Sequence, residues 1–365
     1  MLELSATEDQ IARLRLIRSD HVGPVTYAQL LARFGSAAAA IEALPDLAAR
    51  GGGRSPKLAS RAAVEREMEQ VARLGARYLF LGQGLYPPLL AEVETAPPAL
   101  IVKGQLGLLE RPAIAMVGAR NASAAACRFA RALAQGLGSA DSVVVSGLAR
   151  GIDTAAHDGS IGTGTIAVIA GGIDIFYPPE NEERQRAIAE RGLLVAEQPP
   201  GVEPRSRHFP YRNRIIAGLA QGTVVVEAAP RSGSLITARY AAEFGREVMA
   251  VPGSPLDPRA QGCNQLIREG ATLVQDAEDV LESLRPFSLR SVAQPRLDYA
   301  AASDASDTGE AERRAVSDLL SPTPVSVDEI IRQAALPSAI VQTVLLELEL
   351  AGRLERHAGG KVSLA

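Results

Sequence analysis

Five short runs of nearly unbroken apolar residues constrain this chain more than any other feature. AIAMVGAR (113–120), SVVVSGLARG (142–151), TIAVIAGG (165–172), GTVVVEAA (222–229) and EVMAVPG (247–253) are rich in Val and Ile, and glycine-containing turns follow them. A strand that is apolar on both faces has to be covered on both faces. That calls for a parallel sheet held between helices. Helical patterns separate the runs, so residues from about 76 to 285 are expected to form a Rossmann-like, doubly wound, mostly parallel α/β domain.

Two different patterns flank it. Residues 1 to about 75 are rich in Ala, Leu and Arg with helical periodicity, and IARLRLIRSDHVGPVTYAQLLARFGS reads as helix, tight turn, helix. The turn His21-Val22-Gly23-Pro24-Val25 is similar to a helix-hairpin-helix element, although an ordinary helix connection has the same pattern. Residues 286–310 lose periodicity and read as a linker. Residues 311–365 give three helices, the second opened by Ser326 as cap, and a hairpin with Gly359-Gly360 at its tip. This is the outline of a winged helix. Its third helix (338–351) carries Glu347 and Glu349 and no Lys or Arg. That favours a protein-contact or dimerisation role over reading of a DNA groove.

Composition narrows the function. The net charge of −4 excludes attraction to nucleic acid by excess charge, so anion binding has to come from local Arg clusters or backbone N–H groups. Cys127 and Cys263 lack metal-site spacing, and no zinc or other metal site is expected. The first residues are too charged for a signal peptide, and no apolar run reaches the roughly 18 residues of a membrane helix, so a cytoplasmic protein without membrane contact is expected. Aromatics are only 4% of the chain. The few that fall in motifs gain weight as stacking groups.

Ligands of parallel sheets sit at the carboxyl ends of the strands. The first such loop offers Gly118, Arg120 and Ser123, the last as helix cap. The second offers Ser146, Gly147, Arg150 and Gly151 ahead of a helix, a pattern suited to holding an anion on backbone N–H groups. The third holds Gly171 and Gly172, with Phe176 and Tyr177 just beyond. PRSRHFPYRNRIIAGLA (204–220) is the densest cationic run, with Arg205, Arg207, His208, Arg212 and Arg214 around Asn213. The last loop supplies Ser232, Gly233, Ser234 and Thr237. So many anion-type turns in one domain suit a polyanion better than a single mononucleotide.

One rival to this reading is an enzyme. Ser146, Asp153 and His157 have the residue types of a hydrolytic set, with Asp153 and His157 four apart on one helix. Ser146 lacks the G-x-S-x-G elbow. No Walker A or GxGxxG pattern occurs, so no nucleotide cofactor is expected. Two alternatives remain open: a Rossmann-type enzyme acting on a phosphorylated nucleoside, and a winged-helix regulator of duplex DNA.

The motifs in their order resemble the DNA-processing protein A family (DprA, also called Smf). The resemblance rests on YPPLL (86–90), PPALIVKG (97–104), VGAR (117–120), SGLARGID (146–153) with His157, and GGIDIFYPPEN (171–181). It continues through FPYRNRIIAGL (209–219), VVVEA (224–228), SGSLITA (232–238), GREVMAVPG (245–253) and GCNQLIREGA (262–271). It implies an N-terminal sterile-alpha-motif-like domain and a C-terminal winged helix. It also implies a non-enzymatic protein that binds single-stranded DNA, protects incoming strands in natural transformation, loads the RecA recombinase and forms a homodimer through the Rossmann domain. Carried over residue by residue, the DNA pocket would include Arg120, Ser146, Gly147, Arg150, Gly151, Arg212, Asn213 and the Ser232–Thr237 turn, with Phe176 as stacking ring. The loops by themselves support an extended polyanion site; single-stranded DNA as its occupant comes from the resemblance.

Overall fold

A computed structural model describes residues 6–54, 56–285, 308–357 and 359–365. The expected linker falls mostly at 286–307, outside the described residues. The chain divides into two compact units. One takes the residues up to Glu65 together with the C-terminal segment, and the other begins at Arg66 and carries the large sheet.

The N-terminal helices are α1 (Glu8–Ile17), α2 (Pro24–Phe34), α3 (Ala37–Arg50) and α4 (Arg61–Arg73). Thr7 and Gln10 close a capping box at the start of α1. Pro24 opens α2 at its first position, where its missing N–H costs nothing. Leu16, Tyr27, Leu30 and Leu44 form the core between α1, α2 and α3.

The second unit continues with β1 (Arg77–Phe80), α5 (Pro88–Ala91), β2 (Ala99–Gly104), β3 (Ala113–Gly118), α6 (Ala124–Ser139), β4 (Val143–Ser146), α7 (Ile152–Ser160), β5 (Thr165–Ile169), α8 (Glu182–Arg191) and β6 (Leu193–Ala196). It ends with α9 (His208–Leu219), β7 (Gly222–Val226), α10 (Ser234–Glu243), β8 (Glu247–Ala250), α11 (Gln261–Arg268), β9 (Thr272–Leu273) and α12 (Ala277–Ser283). The nine strands form one sheet in the order β1-β2-β6-β5-β4-β3-β7-β8-β9. All neighbours from β6 to β9 are parallel, while β1–β2 and β2–β6 are antiparallel.

The apolar runs explain the layering. In β3, Ile114 and Met116 face one core with Leu133 and Leu137 of α6, while Ala115 and Val117 face a second core with Ile215 and Ile216 of α9. Alternate residues thus feed opposite layers, as a strand's two-residue period requires. Four strands were not among the five runs. β6 is only four residues of this type, β9 only two, and β1 and β2 form the antiparallel edge.

The C-terminal segment supplies α13 (Glu310–Ser317), β10 (Val325–Ser326), α14 (Val327–Ala334), α15 (Ser338–Leu350), β11 (Leu354–His357) and β12 (Lys361–Leu364). The three strands pair antiparallel as β10-β12-β11, giving the winged helix its wing. Ser326 caps α14, its Oγ accepting from the Glu329 N–H at 3.2 Å.

Candidate nucleic-acid interface

The sheet's connections reverse direction at β3. From there the chain winds through β4 and β5 to β6, then returns to place β7 on the other side of β3. A crevice opens at such a switch point, at the carboxyl ends of the strands. Here it holds two cavities, of about 230 and 840 Å³, that share Arg120, Ala149, Tyr177, Phe209 and Arg212.

Helix α9 builds one wall. Phe209, Arg212, Asn213 and Ile216 all line the larger cavity. Their spacing of i, i+3, i+4 and i+7 is one helix face. Arg214 lies two residues from Arg212, about 200° around the axis, and points elsewhere. Its guanidinium donates to the Thr95 carbonyl and pairs with Glu197, 2.5 Å away. Helical phase therefore separates two arginines that the cationic run presents as equals.

Arg212 is 6% exposed. Its Nη1 donates to the Val168 carbonyl at 3.3 Å and stands 4.0 Å from the Asp153 carboxylate. Its Nε has no hydrogen-bond partner among the described residues. Burial pushes the guanidinium down to about 10; Asp153 opposes that shift and the neighbouring Arg120 adds to it. Burial also pushes the Asp153 carboxyl above its ordinary range, against the pull of Arg212 and of the Ala149 and Gly147 N–H groups. A buried cation with one distant, weakened counter-ion and an idle donor is costly unless an anion completes it. Gly147 makes room for it, since a Cβ there would lie 1.2 Å from Arg212 Nη1.

The rim is cationic and aromatic. Arg120, Arg231 and Arg259 join Arg212 in the larger cavity, against one carboxylate, Asp153. The Arg120 guanidinium lies 5.0 Å from the centre of the Phe209 ring, which in turn lies 5.6 Å from the Tyr177 ring. Tyr177 is 44% exposed, so one face of this aromatic pair is open. Sequence reading placed the stacking ring at Phe176. That ring lines neither cavity and is covered by the Arg186 guanidinium at 4.6 Å. Phe209 lines both cavities instead, and its place three residues before Arg212 on one helix is the sequence signal for it.

Other expected residues divide in the same way. Asn213, Ser232, Gly233, Ser234 and Thr237 line the larger cavity. Gly147 and Arg150 line the smaller one, with Arg150 3.6 Å from Glu180. Gly151 turns the chain into α7 at φ 76°. Ser146 is fully buried and its Oγ donates to the Met116 carbonyl at 2.6 Å. Ser123 caps α6, accepting from the Ala126 N–H, while its own N–H donates to Glu227. Gly171 and Gly172 are buried, and the Gly172 N–H donates to the Val202 carbonyl.

Three of the N–H groups at the helix starts, where phosphate was expected to be cradled, are paired within the protein. The Ala149 N–H donates to Asp153, the Ser123 N–H to Glu227, and the Ile152 N–H to the Ala119 carbonyl. The cationic character of the crevice rests on arginine side chains. The hydrolytic set is not assembled either. His157 is buried with Nδ1 2.7 Å from Thr165 Oγ1, and burial pushes it down to about 3. Among the described residues no cluster of three metal-ligating side chains occurs, and no helix is long and apolar enough to cross a membrane.

Comparison with known proteins follows the same outline. The sequence profile of DNA recombination-mediator protein A matches residues 77–285. A DprA-like N-terminal HHH domain matches 7–70, and a DprA winged helix domain matches 300–360. Protein Smf of Escherichia coli is 40% identical over 285 residues, covering 76% of this chain and 75% of that protein. DNA processing protein DprA of Streptococcus pneumoniae is 50% identical over 198 residues, covering 54% of this chain and 70% of that protein. An X-ray structure of DNA processing protein A from Streptococcus pneumoniae has a TM-score of 0.63 at 39% identity, covering 76% of this chain and 98% of that one. A Helicobacter pylori DNA processing protein A structure, described for its single-stranded DNA binding mode, has a TM-score of 0.52 at 26% identity, covering 57% of this chain and 95% of that one.

Proposed function

This chain belongs to the DNA recombination-mediator protein A (DprA) family, and on that premise we propose that it binds single-stranded DNA in the switch-point crevice, without catalysing a reaction on it. One observation carries the reading: Arg212 is a buried guanidinium with an idle Nε, beside Arg120, in a cavity with an open aromatic ring. A phosphate supplies the missing anion, and a base stacks on Tyr177 and Phe209. Arg120, Arg150, Arg212, Asn213 and the Ser232–Thr237 turn hold the strand, while Ser146, Gly147 and Gly151 shape the loop behind it. A crevice lined by arginines and an open ring accepts any sequence, because phosphates and base faces recur at every nucleotide.

The bound strand is kept from degradation and handed to RecA, in the cytoplasm, by a homodimer formed through the sheet domain. Membership of a recombination-mediator family supports this part of the reading, and a RecA-loading assay tests it. The DNA site is tested by salt-dependent binding to single- and double-stranded oligonucleotides. Arg212→Ala and Arg120→Ala should each weaken single-strand binding and lower the salt slope by about one unit. Arg214→Ala should leave affinity and slope unchanged. Unchanged affinity in both of the first two variants overturns the site.

A further inference from the structure

Helix α15 stands where a winged helix would present its groove-reading helix, yet from Val341 to Leu350 every residue is buried or half-buried. Val341, Val344, Leu345 and Leu348 fill the core of the winged helix itself. Leu346 and Leu350, on another face, join the core formed by the N-terminal helices. A helix with apolar residues on more than one face has to be covered on each of them, and here two segments from opposite ends of the chain share the task.

The contact explains two glycines. A Cβ on Gly51 would lie 2.1 Å from the Glu347 carbonyl oxygen, and one on Gly53 would lie 2.5 Å from the Ala351 Cβ. Gly51 has an ordinary φ of −71°, so nothing in its own backbone requires glycine. The close approach of α15 does. Polar groups complete the fit. Arg353 Nη1 donates to the Gly51 carbonyl at 3.1 Å, and Gln29 donates to Gln342 at 3.0 Å.

We infer that the C-terminal winged helix is a docking module whose partner is the N-terminal helical segment of the same chain, and that this contact withholds α15 from any DNA groove. The module acts as a clasp joining the two ends of the chain, and duplex reading by α15 is sterically closed while it holds. None of the crevice residues takes part in this contact.

A protease recognition sequence inserted after residue 295 of the full chain tests it. After cleavage, the C-terminal piece should co-elute with the remainder in gel filtration. Gly51→Ala with Gly53→Ala should release it at least ~10-fold faster, because the added methyls overlap atoms that cannot give way. Arg353→Ala, altered on the other side of the contact, should weaken retention less. Circular dichroism of the uncut variants separates lost docking from lost folding. Escape of the piece from the otherwise unaltered chain overturns the proposal, and so does undiminished retention in the folded double variant.

Discussion

Two buried charges in this molecule look alike by exposure and differ in company. Glu347, in the terminal unit, is 1% exposed and accepts from Arg313 through both carboxylate oxygens, at 2.8 and 3.2 Å. Arg212, in the sheet unit, is 6% exposed, reaches its nearest carboxylate only at 4.0 Å and leaves Nε idle. The first charge is complete within the protein, as a packing contact should be. The second is not complete among the described residues, which is why we propose that an anion joins it. What marks a ligand site here is buried charge left unsatisfied, since burial alone describes both.

The largest effect that separates the two units should appear in acid. His157 lies in the sheet unit, where burial holds it down to about 3. Below about pH 6.5 the unfolded chain takes up a proton there that the folded chain refuses until about pH 3. Stability therefore falls as pH falls through that window, by up to about 1.4 kcal/mol per pH unit. His157→Asn should flatten the acid limb of the sheet unit's melting curve by about one proton. An acid limb that keeps its slope refutes this.

Next in size is the completed pair. Glu347→Ala removes the buried carboxylate that accepts from Arg313 and should destabilise the terminal unit by about 1–3 kcal/mol in urea unfolding, held to the lower values because Arg313 is partly exposed. Affinity for single-stranded DNA should not change. A loss of DNA affinity equal to that of Arg212→Ala would erase the distinction between the two charges.

The smallest effect sharpens the crevice itself. Tyr177→Ala should weaken single-strand binding by about 1–2 kcal/mol, roughly tenfold, with little change in melting temperature because the ring is exposed. Phe176→Ala should leave affinity unchanged, since Arg186 already covers that ring. The reverse ranking of the two rings, measured by fluorescence anisotropy, would restore Phe176 as the stacking group.

The local periods of the chain were enough to establish the parallel core of its sheet, though not the antiparallel edge of β1 and β2. A β-run such as Val143–Val145 is apolar at every position, so it has to lie inside a parallel sheet, and that consequence needs no knowledge of distant residues. The lack of Lys and Arg in α15, which carries Glu347 and Glu349, likewise pointed to protein contact over reading of a DNA groove. The crevice was legible as a set of loops and a cationic run. Its membership was not. Arg212 and Arg214 are equivalent in the sequence, and only the phase of α9 against the sheet turns one inward and sends the other to Glu197. Asp153 takes the Ala149 N–H from four residues on, a local pairing, whereas Glu227 takes the Ser123 N–H from 104 residues away, because distant segments meet at the switch point. The Gly51–Gly53 run reads locally as a turn, and only the approach of α15 from the other end of the chain shows what Gly51 and Gly53 leave room for. Periodicity is a property of neighbours along the chain, whereas satisfaction of a buried charge depends on neighbours in space.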